Sequence, residues 1–450
     1  MKKSLSLKES ILVGSMLFGM FFGAGNLIFP VHMGQLAGTN VWPAIFGFVL
    51  TGVGIPLLGV ACLGASKKDS LFDLAGLVGD KYKYFLTTIL YLTIGPFFAI
   101  PRCASTSFTI GLKPLVSDNN IIIAQLIFTL IFFAIVLFFS LRPSGIMTWV
   151  GQYINPIFLI FLAILIIVSF INPLGKITAV TPDEAYISNP FFKGFIEGYG
   201  TMDAIAALAF GITVIRVVRD LGIKDETYVA VNTVKAGAIG CVLMAIIYVL
   251  TTLMGTMSRG VYETTSNGGE ALAQIANHYF GRFGIYFLLA IVTLACIKTA
   301  ISLVISCSEM FHKMFPSFLS EKTWAIIFTV FSFIVSNFGL TAIITYAVPV
   351  LMFLYPLTIS IILLSLFGRF FNYDKRVFII STVFNIVAAI LDFIVAFPSS
   401  LIMPKSLIEN ARFIGTRFLP FFSIGLGWLV PTLIGLIIGL VWRQATKAKV

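Results

Sequence analysis

The chain has 450 residues, 58% hydrophobic and 11% charged, whereas soluble domains carry about 25% charged residues. This composition excludes a soluble globular protein and leaves the lipid bilayer as the solvent. The net charge of +11 therefore does not point to nucleic acid as a partner, and the basic residues are read for membrane sidedness.

Apolar runs long enough to cross about 30 Å of hydrocarbon, which takes about 20 helical residues, recur along the chain. They fall at approximately 9–38, 41–65, 83–112, 120–141, 146–172, 190–215, 226–256, 282–311, 324–338, 341–367, 377–397 and 421–442. Period-two alternation is absent, so the spans are helices and the fold class is an all-α polytopic membrane protein with about twelve of them. The ninth run is short. With the N-terminus inside, most of the 30 Lys and Arg residues fall in inner segments, which predicts cytoplasmic termini. The first run continues well past the small residues near Ala24, longer than the roughly 7–15 residues of a signal-peptide core, so it is read as a span. The stretches 66–82, 173–189, 257–281 and 398–420 read as loops, with helical spacing from Glu270 to Tyr279 predicting a lid helix. One membrane domain, 1–450, is expected.

The first span contains "GMFFGAGNLIFP" (19–30) and the sixth "GYGTMDAIAALAFG" (198–211). Glycines in mid-span either let helices pack closely or open the helix around a cavity, the only place where lipid-depth backbone can be unwound. Breaks in spans one and six divide the chain into two five-helix units, 1–172 and 190–367, with two helices appended at 377–442. An odd number of helices per unit makes the second unit inverted, and paired interrupted spans mark the binding site of such transporters. An opened span offers N–H groups to an anion, here around Gly25 and Asn26. It offers carbonyls to a cation, here between Gly19 and Phe22. A zwitterionic amino acid matches that pair of ends.

These two stretches, together with "GPFFAIPR" (95–102) in the third span, resemble the signature segments of the bacterial branched-chain amino acid:cation symporters, and the resemblance runs over nearly the whole chain. It implies the fold of the bacterial leucine transporter, a multi-pass protein of the bacterial cytoplasmic membrane, and uptake of leucine, isoleucine and valine coupled to H+ or Na+, with no other cofactor. It also implies site residues. The substrate carboxylate would meet the amides of Gly23, Ala24, Gly25 and Asn26. Asn26 would serve as a ligand for a nearby cation. Gly200, Thr201, Met202 and Asp203 would form the opposite wall, with Asp203 accepting from the ammonium. Phe22, Ile100 and Met202 are expected to line the side-chain pocket.

Charged groups inside spans are functional candidates. Arg102 reads either as a partner of Asp203 beside the substrate or as half of a structural ion pair. Lys235 lies near enough to the inner end of span seven to snorkel to the interface, Glu309 is expected to be solvated, and Asp392 reads as structural or interfacial. In span eight, Ala295, Lys298, Thr299 and Ser302 share one helical face. The leucine-transporter pattern A-x-x-[ST]-[ST], which completes a sodium site, reads here Ala295, Lys298, Thr299, with lysine in place of a hydroxyl. An ammonium there would take the place of a monovalent cation against the carbonyls of Gly19 and Phe22. The expectation is a proton-coupled or sodium-independent carrier, with sodium coupling, of the same or another small neutral amino acid, as the alternative.

The three histidines are scattered and no HExxH, GxSxG or paired aspartates appear, which disfavours an enzyme and a metal site. The five cysteines lie in or at the ends of spans without CxxC spacing and read as packing residues.

Overall fold

The computed structural model describes residues 2–66, 68, 70–142, 155–398 and 403–447, and among these no strand occurs. The first span is two helices. α1 (Leu7–Phe21) starts at a reciprocal capping box between Ser6 and Glu9 and stops where Gly23 is extended. α2 (Ala24–Ala37) carries the span onward and tolerates Pro30. The second span is α3 (Val41–Val49) and α4 (Ile55–Ser66), joined through a wide turn at Leu50–Gly54. A short helix, α5 (Leu71–Ala75), follows.

Span three also opens. α6 (Asp80–Leu92) gives way at Thr93–Phe97, where Gly95 leaves helical geometry next to Pro96, and α7 (Ala99–Ser107) restarts the helix. Proline cannot donate to the preceding turn and clashes with it, so the "GP" pair sets the position from which Arg102 projects. α8 (Ile121–Ser140) and α9 (Asn155–Ile171) complete the first half. The start of the fifth expected span, 146–154, lies outside the described residues.

In the second half, α10 (Pro190–Glu197) and a tight turn at Gly198–Thr201 precede α11 (Asp203–Asp220), the two bent by 43°. α12 (Glu226–Ser258) is unbroken. α13 (Gly268–Met314) is interrupted at Gly281, whose φ of 57° detaches a helix at 268–280 from the span proper. A helix is thus present where the spacing from Glu270 to Tyr279 predicted one. α14 (Glu321–Ser336), α15 (Leu340–Leu366), α16 (Lys375–Ala396), α17 (Lys405–Phe418) and α18 (Leu429–Lys447) follow.

Two expectations shift. The stretch 398–420, read as loop, contains α17, which buries Ile408, Ala411 and Gly415 at helical spacing and exposes Phe413 and Phe418. The last span starts at Leu429 instead of 421, because Phe421 and Gly425 adopt left-handed backbone that a helix cannot contain.

Burial orders the bundle. In α15, 78% of the most apolar window is inside the protein, against 22% for the fourth span and 17% for the last. The tenth span is thus a core element, while α8 turns Ile122, Ile127, Leu130 and Ile131 outward, as lipid contact requires. α2 and α12 make one of the closest crossings. A Cβ on Gly34 would overlap the Thr252 carbonyl and one on Gly255 the Val31 carbonyl; small residues permit that approach. Asn385 of α16 donates to the Pro356 carbonyl and to Thr432, fastening the appended helices to α15.

Candidate substrate site between the two broken spans

The break in span one is two residues long. Phe22 N–H donates to the Phe18 carbonyl, which closes α1, and the remaining end carbonyls from Gly19 to Phe21 have no partner within their helix. On the other side, α2 begins with its N–H groups unpaired by the helix itself. Asn26 folds back so that its Oδ1 accepts from Gly23 N–H at 2.9 Å, fixing the extended glycine.

The side-chain amide of Asn26 then points across the bundle. Its Nδ2 donates to Asp203 Oδ2 at 2.7 Å and also reaches the hydroxyl of Tyr248. Tyr248 OH donates to the same carboxylate oxygen at 2.9 Å. Asn26 and Asp203 are 1% and 2% exposed, so this is a buried network, with Asp203 Oδ1 left over for another donor. Asp203 sits at the first position of α11 because Met202 takes a left-handed conformation, φ 64°, to start that helix. Such a backbone costs roughly 1–2 kcal/mol in a non-glycine residue, and non-glycine strain of this kind concentrates at functional sites.

Arg102, 4% exposed, does not pair with Asp203. Its Nη1 donates to the Gly200 carbonyl at 2.6 Å and Nη2 to the Thr201 carbonyl at 3.4 Å. It therefore takes up the carbonyl end of the span-six break, while the carboxylate is held by Asn26 and Tyr248.

Between these groups lies a small cavity. Gly23, Ala24, Gly25, Asn26, Arg102, Thr201, Met202, Asp203 and Thr299 line it, whereas Gly200, expected on the same wall, does not: the Phe29 ring packs over it and its carbonyl accepts from Arg102. The apolar wall differs from expectation. Phe22 turns away, its ring 4.8 Å from Phe18 and 5.8 Å from Phe158, and Ile100 is fully buried elsewhere. The wall is made by Met20, Phe21, Ile94, Ala99, Met202, Phe210 and Leu303. Neighbouring residues on a helix are about 100° apart, so an offset of one residue moves the side chain off the cavity.

The same offset decides the span-eight stripe. Thr299 faces the break, with its methyl 3.4 Å from the position a Cβ on Gly23 would take, and its hydroxyl donates to the Ala295 carbonyl. Lys298 lies beside it, half-buried. Among the described residues its ammonium makes no hydrogen bond or ion pair, so the expected contact with the carbonyls of Gly19 and Phe22 is not made. Lys235 and Glu309 are exposed, as snorkelling and solvation require. Asp392, near the end of α16, is 3% exposed, with Oδ2 unpartnered.

Sequence reasoning missed Tyr248. The signal was present as a tyrosine deep in an apolar helix, followed by Thr251 and Thr252, but nothing in span seven alone says which face meets Asp203. The five cysteines are buried and unpaired. Among the described residues no cluster of His, Cys, Asp or Glu could hold a metal ion.

Comparison with known proteins agrees with this arrangement. Residues 6–446 match the family model described as "Branched-chain amino acid transport protein". A branched-chain amino acid permease of Lactobacillus delbrueckii subsp. lactis is 46% identical over 432 residues, covering 96% of each chain. One from Bacillus subtilis is 42% identical over 441 residues and 98% of each chain. A solved Na+-coupled sialic acid symporter, at 13% identity, superposes with a TM-score of 0.61 over 96% of this chain and 90% of its own. That likeness establishes the leucine-transporter-type fold, in which helices 1–5 and 6–10 are inverted repeats with the first of each broken, followed here by two appended helices.

Proposed function

Because the chain belongs to the branched-chain amino acid transport protein family, we propose that it carries leucine, isoleucine and valine into the bacterial cell across the cytoplasmic membrane. It does so by cation symport with alternating access. In this reading the termini are cytoplasmic, the repeats are 1–172 and 190–367, and the helix at 268–280 is an outer lid. The observation that carries the proposal is the placing of two opposite receptors on one small cavity: the open N–H end of α2 and the free oxygen of Asp203.

A carboxylate binds at the start of α2, where unpaired amides and the helix dipole favour negative charge. The ammonium donates to Asp203, whose second oxygen is already fixed by Asn26 and Tyr248. Side-chain space is bounded by Met20, Phe21, Phe210 and Leu303, all apolar. A methylene more or less in such a pocket changes binding by about 1–3 kcal/mol, so the three branched-chain residues share the site with graded affinities.

For coupling, Lys298 is half-buried next to Thr299 in span eight and, among the described residues, has no carboxylate to neutralise it. That disfavours a second cation at this position, and we infer coupling to protons. Thr299, which does face the break, favours the sodium reading. Labelled leucine uptake into proteoliposomes separates them: a pH gradient alone should drive accumulation, and accumulation under a sodium gradient with no response to pH would overturn proton coupling. Absence of leucine, isoleucine and valine uptake under both gradients would overturn the substrate assignment.

A further inference from the structure

We propose that Arg102 is the counter-ion for the substrate carboxylate, completing with the first turn of α2 a two-part anion receptor; this rests on the amino acid reading above. A guanidinium has five N–H donors. In Arg102 Nη1 and Nη2 each reach one carbonyl of the span-six break, and Nε is buried with no partner. Among the described residues no carboxylate pairs with this guanidinium, since Asp203 is engaged by Asn26 and Tyr248.

The charge stands where it is least expected. A Cβ on Gly25 would lie 2.7 Å from Arg102 Nη2, and the guanidinium carbon is 5.4 Å from the centre of the Phe29 ring. It is therefore pressed against the first turn of α2, whose dipole end is positive. Two positive features converge on the same corner of the cavity, which Gly23, Ala24, Gly25 and Arg102 all line. That corner is complementary to an anion and to nothing else in an amino acid. Arginine suits it because its planar fork binds both oxygens of a carboxylate.

The chemical consequence is charge matching. One guanidinium and one carboxylate in the cavity meet one carboxylate and one ammonium in the substrate, so the loaded site is neutral without an ion on the substrate itself. Glycine at position 25 is then required by the guanidinium as well as by the helix break.

The test compares ligands that share one branched skeleton. Leucine and 3-methylbutylamine differ only in the carboxylate, and displacement of labelled leucine from the purified full-length protein gives the affinity ratio. In Arg102→Gln the preference for leucine should fall about 10–100-fold, the value of a hydrogen bond to a charged group. A role confined to holding the Gly200 and Thr201 carbonyls would weaken both ligands together and leave the ratio unchanged, which would overturn the proposal. Should that variant not fold, Arg102→Lys keeps the charge but loses the fork. It should give a reduced ratio, and an unaltered one overturns the idea equally. If the unmodified protein binds no leucine at all, the transport reading has failed before the role of Arg102 is reached.

Discussion

The two broken spans occupy matching places in the repeats and are opened by different devices. Span one stops at an extended glycine, and the new helix end is left open: α2 presents unpaired N–H groups, while Asn26 is used to hold Gly23. Span six tightens into a turn, passes through a left-handed Met202, and has its carbonyls taken up by Arg102. What it presents is a side chain, Asp203. In the proposed reading, a backbone break supplies an anion receptor in one repeat and a scaffold for a carboxylate in the other. Symmetry of position does not imply symmetry of chemistry.

The sharpest way to break this comparison is to remove the carboxylate. Asp203→Asn keeps the shape but loses the charge proposed to meet the ammonium, and leucine uptake should fall by about 100-fold, the scale of unpairing a buried charge at roughly 3 kcal/mol. Uptake within a few-fold of the unaltered protein would show that span six binds through its backbone after all. Next come the glycines. A Cβ at Gly25 meets the Arg102 guanidinium at 2.7 Å, whereas one at Gly200 meets the Phe29 ring at 2.5 Å. Gly25→Ala should raise the leucine KM by about tenfold, one lost charged hydrogen bond. Gly200→Ala should instead lower thermal stability, by about 1–3 kcal/mol of overpacking. Equal effects of both changes on KM would erase the distinction between the breaks.

Tyr248→Phe removes one of two donors into Asp203 and should cost about 1 kcal/mol, roughly a fivefold rise in KM with kcat retained. A fall in kcat alone would place Tyr248 in the transport step and not in ground-state binding. The smallest effect concerns the helix at 268–280, the proposed lid. A Cβ on Gly268 would overlap the Ile28 carbonyl, so this helix starts directly on α2. Its Glu270 pairs with Lys113 at 2.6 Å. Partial burial alone would raise the Glu270 pKa, but hydrogen bonds from Lys113 and Ser266 outweigh it and hold the carboxyl below its ordinary 4.5. A depressed pKa contributes stability that is complete above that ordinary value and is lost as pH falls through the folded one. Hydrogen exchange in 268–280 should accelerate on acidification below about pH 4.5, and Lys113→Met should reproduce part of it at neutral pH, worth under about 1 kcal/mol for a half-exposed pair.

Much of this was legible in the sequence because it is local. Apolar length gave the spans, and the interrupted runs at Gly23 and Gly200 gave the breaks. Asn26 and Asp203 stood out as polar residues at lipid depth. The helix at 268–280 followed from its own periodicity. The break in span three was present as Gly95–Pro96 but gained meaning only when Arg102 was seen to project from the restarted helix. α17 was hidden because its apolar face is short and its flanks are charged, the pattern of a surface helix as much as of a loop.

Sequence by itself determined that the chain crosses a membrane many times, that two corresponding helices are opened there, and which polar residues flank the openings. Hydropathy and helix-breaking chemistry depend on neighbours in the chain. Only the tertiary structure decided that Phe21 lines the cavity and Phe22 does not, that Thr299 faces the break and Lys298 stands beside it, and that Arg102 holds carbonyls while Tyr248 holds the carboxylate. Those outcomes depend on the rotation of each helix about its axis. That rotation is fixed by the packing of every neighbouring helix at once, and adjacent residues differ by only about 100° of it.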